Sequence, residues 1–297
     1  MYHLHTLYSF PMKTPLEHHH TTLGILAIFT SIISVNAGAA FAKHLFPLVG
    51  ATGMTTLRIS FAAILLVLFC RPWKTRLLPH QYKSIMIYGV ILGCMNLLIY
   101  QAFARIPIGI ALAIEILGPL GVVLASARRV IDFVWFGLAL VGLALFLPFQ
   151  SNEASLDMIG ILFAIAAALS WAMYILVGKQ LSSASTLSSV ALGMVVATCV
   201  AAPFGIIEAG TSLLSPYILG TGLLVAFFSS ALPYSLEMLA LKRVPAHLFS
   251  MIVSSSPIVA GLCGWVILNE ELSLRQWIAI VLIVAAITGS TFKKQAS

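Results

Sequence analysis

The sequence predicts an all-α integral membrane protein with ten transmembrane helices, arranged as two inverted five-helix repeats. Its 297 residues are 60% hydrophobic and only 8% charged, whereas a soluble domain carries about 25% charged residues. The chain also repeats itself, because residues 24–45 align with residues 160–181 at an offset of 136. A repeat of five spans must enter the bilayer once from each side, so the two halves are inverted.

A second alignment supports the repeat at an offset of 138. It equates three residues of the first half with three of the second, namely Arg105, Pro107 and Pro119 with Arg243, Pro245 and Pro257. Lys43 and Lys179 also coincide in the first alignment. Matches among basic residues and prolines do not arise easily from a small apolar alphabet. Inverted repeats with a site between them are typical of secondary transporters.

Ten apolar runs, each long enough to cross a bilayer as a helix, account for most of the chain. They lie at 24–42, 51–70, 84–104, 107–126, 132–149, 158–178, 187–207, 216–239, 245–268 and 274–292. None shows the period-two alternation of a membrane β-barrel. The predicted divisions are an N-terminal tail, a first repeat, a second repeat and a C-terminal tail, at 1–23, 24–149, 158–292 and 293–297.

The distribution of Lys and Arg predicts that both termini are cytoplasmic. Twelve of the 16 lie in segments that share a side with the N-terminus, three lie on the opposite side, and Arg58 lies inside a span. Positive charge marks the cytoplasmic side of short loops. The basic segment 71–83 then sets the topology, or it also contacts anionic lipid headgroups.

Composition excludes several other classes of protein. The net charge of +7 is scattered between apolar segments, which does not indicate a nucleic-acid surface. The cysteines are dispersed through the spans, at Cys70, Cys94, Cys199 and Cys263. We interpret them as free thiols, and predict no metal site and no cofactor. The ten spans leave no length for a soluble catalytic domain.

Three charged residues stand out well inside predicted spans, where a charge costs roughly 2.5 to 3.5 kcal/mol to insert. Arg58 and Glu115 fall at a similar depth, about 10–12 Å below the non-cytoplasmic surface. They form either a buried ion pair that locks two helices or a substrate and proton site, and the sequence favours the site. Glu237 is the third candidate, although its position also allows it to reach the cytoplasmic surface and pair with Lys242 or Arg243.

Two mid-span prolines, Pro119 and Pro257, are predicted to break helices and to free backbone carbonyls. Such groups are tolerated where they line a cavity, so we expect a central pathway lined by spans 4 and 9, unless the breaks serve packing alone. Further candidate binding residues share polar or aromatic character inside the spans, and they are Asn36, Asn96, Tyr100, Trp171, Tyr174, Ser254, Ser255 and Ser256.

The chain resembles a known family through seven motifs: AKHLFPLVG (42–50), TTLRIS (55–60), IPIGIALAIEILGPL (106–120), SARRVIDFVW (126–135), SWAMYILVGKQ (170–180), SSALPYSLEMLAL (229–241) and EELSLRQ (270–276). Together they resemble the ten-helix EamA-domain branch of the drug/metabolite transporter superfamily, and within it the subgroup of bacterial inner-membrane exporters of threonine and homoserine. The resemblance implies two EamA-like five-helix repeats and export of small amino acids by proton antiport with alternating access. Arg58, Glu115 and Glu237 lie in matching motifs, whereas Ser256 stands where the subgroup has an acidic residue.

Two alternatives remain at this point. One is an exporter of other metabolites or drugs from the same superfamily. The other is an intramembrane enzyme, although no paired-aspartate or HExxH pattern occurs on any span. The expected partners are an amino acid, protons and membrane lipid, without nucleic acid, for a monomer or a homodimer. Because the chain has no nucleotide-binding P-loop, we expect an ion gradient to drive transport.

Overall fold

The computed structural model describes residues 15–75, 79–125, 130–145, 156–180, 186–241, 243–244 and 246–293. This part of the chain is helical and contains no strand. Its α-helices are α1 Pro15–His44, α2 Phe46–Cys70, α3 Pro79–Phe103, α4 Ile108–Glu115, α5 Leu117–Ala125, α6 Val130–Ala144, α7 Met158–Gln180, α8 Thr186–Ala209, α9 Pro216–Ala226, α10 Leu232–Leu241, α11 Ala246–Val253, α12 Ser256–Leu268 and α13 Leu274–Lys293.

The ten predicted spans are confirmed. Seven consist of one helix, whereas α4 with α5, α9 with α10, and α11 with α12 form one broken span each. Five helices are long and apolar enough to cross a membrane without interruption, and the other spans contain shorter apolar helices of 10–17 residues. Large apolar side chains face outward, for example Phe69 and Val130, which are both 82% exposed. Such a surface requires lipid as its solvent.

The packing of the helices follows the repeat. Helix α2 packs against α8, α4 against α12, and α6 against α13, so that each of these pairs joins equivalent spans of the two halves. Helix α3, the third span of the first half, packs against α7, the first span of the second half. The reverse contact also exists, because α1 of the first half packs against α10, which belongs to the third span of the second half. This reciprocity is what a pseudo-twofold axis in the membrane plane produces.

Two equivalent glycines show the inversion at the level of side chains. A Cβ atom on Gly160 would lie 2.9 Å from the Cβ of Arg105, and one on Gly24 would lie 3.1 Å from the Cβ of Arg243. These are the residues that the offsets of 136 and 138 equate. The two contacts lie at opposite ends of the bundle, since α1 begins at one end and α7 at the other. We call the end where α1 begins and α13 ends the terminal side, and the opposite end the far side.

The apolar core is continuous on the far side and divided on the terminal side. The largest cluster fills the far half and the centre, with residues such as Val49, Phe103, Ile108 and Ile283. Two smaller clusters lie towards the terminal side. The α3 core consists of residues from α2, α3 and α8, including Ile59, Ala62, Tyr88, Leu92 and Met194. The α1 core consists of Ala27, Ile28, Ile32, Ala240 and Val244.

The two mid-span prolines do not lie in the middle of a helix, which corrects the prediction that they interrupt its hydrogen bonds. Pro119 lies in the first turn of α5, after a break at Ile116, and Pro257 lies in the first turn of α12, after Ser255. An N–H group in the first turn of a helix has no intrahelical partner in any case. The two prolines therefore fit the start of a new helix.

Candidate functional site

A cavity of about 310 Å³ lies between the α3 core and the α1 core. Its size is at the lower end of ligand sites, which span about 300–1,000 Å³. The described residues that line it are Val35, Arg58, Ile59, Ala62, Leu92, Met95, Asn96, Trp171, Tyr174, Met194, Ser229, Ser230, Pro233 and Glu237. Most of these side chains are apolar, and a few polar groups project among them, as is typical of a small-molecule site.

The cavity extends from the middle of the membrane towards the terminal side. Tyr174 lies six residues before the terminal-side end of α7, and Glu237 lies four residues before the end of α10. Arg58 is deeper, twelve residues before the end of α2, which is about 18 Å along the helix. The continuous core separates all three residues from the far side.

Arg58 is held at the deep end of the cavity by two neighbours. Its guanidinium donates a hydrogen bond to Oδ1 of Asn96 and lies 4.8 Å from the centre of the Tyr100 ring. Asn96 is oriented in turn by a 2.8 Å hydrogen bond from its Nδ2 to the carbonyl of Leu92. The Nε of Arg58 is buried without a hydrogen-bond partner among the described residues. The arrangement leaves guanidinium donors available for an anionic group in the cavity.

Glu237 supplies a carboxyl group to the same cavity. Its Oε1 accepts a 2.9 Å hydrogen bond from the Oγ of Ser31. The surface pairing considered from the sequence is not present with Arg243, since the ion pairs seen between described residues are Lys43–Glu270 and Arg105–Asp157. Lys242, the other partner considered, lies outside the described residues. Helix α1 holds this carboxyl group in the cavity through Ser31.

Two aromatic side chains, Trp171 and Tyr174, form one wall of the cavity. The hydroxyl of Tyr88 donates a 2.6 Å hydrogen bond to that of Tyr174, and the two ring centres are 4.7 Å apart. Contacts of this kind fix the rings of Tyr88 and Tyr174. Helix α3 therefore supports the wall that α7 forms.

The predicted pairing of Arg58 with Glu115 is wrong. Glu115 is only 5% exposed and ends α4 immediately before the break at Ile116. It is near enough to Arg58 for an electrostatic attraction, but it forms no ion pair with it and does not line the cavity. Similar depth did not bring them into contact because the guanidinium turns towards Asn96 and the cavity.

Most of the remaining sequence candidates lie at the break between α11 and α12. Nδ2 of Asn36 donates to the Oγ of Ser256 at 3.0 Å and to the carbonyl of Ile32 at 2.8 Å. The Oγ of Ser255 donates to the carbonyl of Ile252 at 2.6 Å, and Ser254 is buried. None of these residues is among the described residues that line the cavity, and neither are Tyr100, Pro119 and Pro257.

Spans 4 and 9 therefore do not form the pathway that the prolines predicted. The spans of α4 with α5 and of α11 with α12 pack against each other instead, and a Cβ atom on Gly109 would lie 2.6 Å from the Cα of Gly261. This close packing leaves no space between them at that point. Among the described residues, the cavity is lined by α1, α2, α3, α7, α8 and the span of α9 and α10.

Sequence reasoning missed Ser229, Ser230 and Met194, but the repeat contained the signal for one of them, Met194. At an offset of 136, Met194 is equivalent to Arg58, just as Trp171 is equivalent to Val35. At an offset of 138, the cavity residues of α3 and those of the α9–α10 span correspond in the pairs Leu92 with Ser230 and Met95 with Pro233. All of these residues line the cavity. The cavity therefore lies on the pseudo-twofold axis.

The far side is closed by a group of polar contacts that we call the far-side seal: Lys43, Glu270, Ile106 and Ile108. The Nζ of Lys43 donates to Oε1 of Glu270 at 2.6 Å and to the carbonyl of Ile106 at 3.0 Å. Oε2 of Glu270 accepts a 3.0 Å hydrogen bond from the N–H of Ile108. The cation is in the last turn of α1 and the anion meets the first turn of α4, which is the arrangement that helix dipoles favour.

A second ion pair on the far side is more exposed. Arg105 donates to Oδ2 of Asp157 at 3.1 Å, and Oδ1 of Asp157 accepts a 2.8 Å hydrogen bond from the N–H of Ile159. The hydrogen bond from Arg105, followed by that from the backbone of Ile159, lowers the pKa of the Asp157 carboxyl. Asp157 thereby fixes the start of α7 next to the α3–α4 connection.

Two relatives match almost the whole chain. The threonine/homoserine exporter RhtA of Salmonella typhimurium (strain LT2) is 41% identical, and that of Escherichia coli (strain K12) is 40% identical, each over 269 residues. Both alignments cover 91% of this chain and 91% of the relative. The model of the EamA-like transporter family matches residues 158–292.

The chain belongs to the EamA-like transporter family. The protein is accordingly an integral membrane transporter and not an enzyme. A crystal structure that is 19% identical in sequence superposes with a TM-score of 0.57, over 94% of this chain and 98% of the other. That likeness shows the fold alone. Of the described residues, no three or more His, Cys, Asp or Glu form a group that could hold a metal ion.

Proposed function

We propose that the protein exports small amino acids with a hydroxyl group, such as threonine and homoserine, by proton antiport with alternating access. The observation that carries this proposal is one small cavity that receives both the guanidinium of Arg58 and the carboxyl of Glu237. The relatives that are 40–41% identical are threonine/homoserine exporters, which supports the choice of substrate. The membrane is the bacterial inner membrane, and both termini face the cytoplasm.

A zwitterion requires two partners of opposite charge when it leaves water. The carboxylate of the amino acid binds Arg58, whose guanidinium can form paired hydrogen bonds with it. The ammonium group binds Glu237. The volume of about 310 Å³ suits a solute of this size and is small for a large drug. The carboxylate-binding and ammonium-binding groups lie on opposite cores, so the substrate contacts both halves.

The direction in which the site opens follows from the division of the core. The cavity separates the α3 core from the α1 core on the terminal side, while the far side has a continuous core and the far-side seal. In the proposed orientation this is the state that receives substrate from the cytoplasm. Export then requires the far-side seal to open and the two terminal-side cores to close on each other.

Two carboxyl groups are candidates for the coupled proton. Glu237 lies in the cavity, where a proton and an ammonium group can compete for it. Glu115 is buried next to the break in span 4 and is attracted by Arg58. If the proton binds Glu115, the carboxyl can respond to substrate through Arg58. We assign substrate binding to Glu237 and the proton to Glu115.

The main experiment uses purified protein in proteoliposomes. Labelled homoserine or threonine should accumulate when a pH gradient is imposed, and a proton uncoupler should abolish the accumulation. If neither amino acid is transported, while an aromatic amino acid or a cationic drug is, the proposed substrate is wrong but the protein is still a transporter. Movement of both amino acids that is independent of pH gradient and uncoupler would contradict proton antiport.

Two variants separate the roles of the carboxyl groups. Glu115→Gln should retain exchange of labelled for unlabelled homoserine at equal pH, but lose accumulation driven by a pH gradient. Glu237→Gln should lose both activities, because the ammonium group loses its partner. Normal gradient-driven transport by Glu115→Gln between pH 5.5 and 8 would show that Glu115 is neither the proton carrier nor an essential ligand.

The orientation has its own test. A cysteine introduced by Gln150→Cys should react with an impermeant thiol reagent in intact spheroplasts, whereas one introduced by Lys74→Cys should not. The reverse labelling pattern would place both termini outside. Either result leaves the nature of the substrate unaffected.

A further inference from the structure

The span of α9 and α10 contains one widened helical turn, at Phe227–Ala231. The N–H of Leu232 donates to the carbonyl of Phe227, five residues earlier, where a regular α-helix uses four. The next residue, Pro233, has no N–H to give. The carbonyl of Phe228 accepts a 2.7 Å hydrogen bond from the Oγ of Ser34 instead. Helix α1 therefore completes the backbone of the widened turn.

The widened turn places two serines in the cavity. Ser229 and Ser230 are 7% and 5% exposed, and both line it. The Oγ of Ser229 is buried and has no hydrogen-bond partner among the described residues. Gly38 makes room for this hydroxyl, since a Cβ at position 38 would lie 2.5 Å from the Ser229 Oγ.

Other helical hydroxyls in this protein behave differently. Thr55, Ser170 and Thr198 each donate to the carbonyl four residues earlier, at 2.8, 2.9 and 3.0 Å. Ser229 makes no such bond. A buried hydroxyl left unpaired costs about 1–3 kcal/mol, and groups of this kind in native proteins often have a functional partner. Ser229 lines the cavity, so rotation of its side chain to another rotamer can present the hydroxyl to a group that is bound there.

We propose that Ser229, with Ser230 beside it, recognises the side-chain hydroxyl of the substrate and selects hydroxy amino acids over apolar ones of the same shape. This inference rests on the proposed amino-acid export. Ser229 and Glu237 are eight residues apart on one span, about 12 Å along the axis. The two side chains span part of this distance, so a small amino acid between them can contact both.

The expected selectivity follows from the cost of an unpaired polar group. A site built to bind a hydroxyl rejects an analogue without it, because the protein hydroxyl then stays buried and unpaired. Wild-type protein should therefore prefer homoserine to 2-aminopentanoate, in which a methyl group replaces the hydroxyl. It should prefer threonine to valine for the same reason. In both pairs the charged groups are identical, so Arg58 and Glu237 do not discriminate.

The experiment measures transport of each pair in proteoliposomes, in direct competition. Ser229→Ala should lower the preference for homoserine over 2-aminopentanoate about tenfold or more, which corresponds to 1.4 kcal/mol, and should leave transport of 2-aminopentanoate intact. The matched control is Ser189→Ala. Ser189 is also buried with an unpaired Oγ, but it does not line the cavity, and its loss should not change the preference.

The outcomes separate this inference from the proposed function. Equal loss of both amino acids in Ser229→Ala would assign Ser229 a structural role and overturn the inference. An unchanged preference, or a wild-type protein without preference, would also overturn it while amino-acid export stands. If Ser229→Ala does not fold, Ser229→Cys keeps the size with a weaker donor and should lower the same preference. If wild-type protein moves no amino acid, the proposed function fails and the inference with it.

Discussion

The far side and the terminal side of the molecule are built from equivalent segments, yet both of the ion pairs seen between described residues lie on the far side. On the far side, Lys43 at the end of α1 binds Glu270 in the connection between α12 and α13. Lys179 is equivalent to Lys43 in the second half, and the connection equivalent to that of Glu270 is residues 126–129. That connection carries Arg128 and Arg129, and the residue that the offset of 138 equates with Glu270 is Asp132, in the first turn of α6.

This difference is one of sequence, because residues 126–129 and the side chain of Lys179 lie outside the described part of the chain. The far-side connection carries two acidic residues, Glu270 and Glu271, whereas its equivalent carries two arginines shortly before one acidic residue. An inverted repeat can therefore keep one fold in both halves while its two ends differ in the net charge of a single connection.

The largest expected effect is that of Arg58→Gln, a substitution in the cavity. The variant removes the buried cation that binds the carboxylate, and truncation of such a charged contact costs about 2–5 kcal/mol. The kcat/KM for homoserine should fall about 30-fold or more in proteoliposomes. Arg105→Gln is the control, since Arg105 lies at a span end and pairs with Asp157. Equal losses of kcat/KM in both variants would show that Arg58 has no special role in binding the substrate.

The second prediction opens the far side, through Glu270→Gln. Loss of the ion pair should shift the population towards the far-side-open state, about tenfold for each 1.4 kcal/mol. The measurement is labelling from the far side of a Val35→Cys cysteine in the cavity, with the native cysteines replaced by serine. Glu271→Gln is the matched control. Unchanged labelling in Glu270→Gln would mean that the continuous apolar core alone closes the far side.

The third prediction compares the two equivalent glycine contacts. Gly24→Ala and Gly160→Ala each place a methyl group against an adjacent connection, and overpacking of this kind costs about 1–3 kcal/mol. Both variants should lower the melting temperature in detergent. Gly160→Ala should also raise labelling of Val35→Cys from the far side, and Gly24→Ala should not. Identical labelling in the two variants would show that the ends do not respond independently.

The smallest effect is expected at Asp157→Asn. The pKa of Asp157 is lowered in the folded protein, so its contribution to stability is present above the ordinary pKa of an aspartate and is lost as the pH falls through the lowered value. Asp157→Asn should therefore lower the melting temperature slightly at pH 7, and less at acidic pH. The carboxyl is exposed, so added salt should also reduce the difference. A decrease in melting temperature that persists at low pH would show that only the hydrogen bond from the N–H of Ile159 at the start of α7 contributes.

The sequence predicted the spans well because each needs only a long apolar run, and the repeat predicted their relative orientation. The site was harder to predict. Arg58, Asn96, Trp171, Tyr174 and Glu237 were recognised as unusual in apolar helices, and the structure places all five at the cavity. Depth counting failed for Glu115, because equal depth does not determine which way a side chain points around its helix.

The prolines misled for a related reason. Pro119 and Pro257 do follow breaks, but whether a broken helix lines a cavity depends on its neighbours, and close packing at Gly109 and Gly261 fills that space. The serines of the widened turn were missed because neither residue is rare in membrane helices. Comparison of the two halves position by position would have found Met194 instead, since its equivalent in the first half is Arg58, which was already a candidate.

The widened turn at Phe227–Ala231 also determines which way the rest of its span faces. A turn of this kind holds one more residue than a regular turn, and each residue rotates a helix by about 100°. Every side chain of α10, including Glu237, is therefore rotated by that angle relative to a continuous helix. The deletion of one residue from this turn would restore a regular turn and leave the carboxyl on the same face, whereas a regular helix that kept every residue would turn the carboxyl away from the substrate. The direction of Glu237 thus depends on the hydrogen-bond pattern of a single turn as well as on the residue itself.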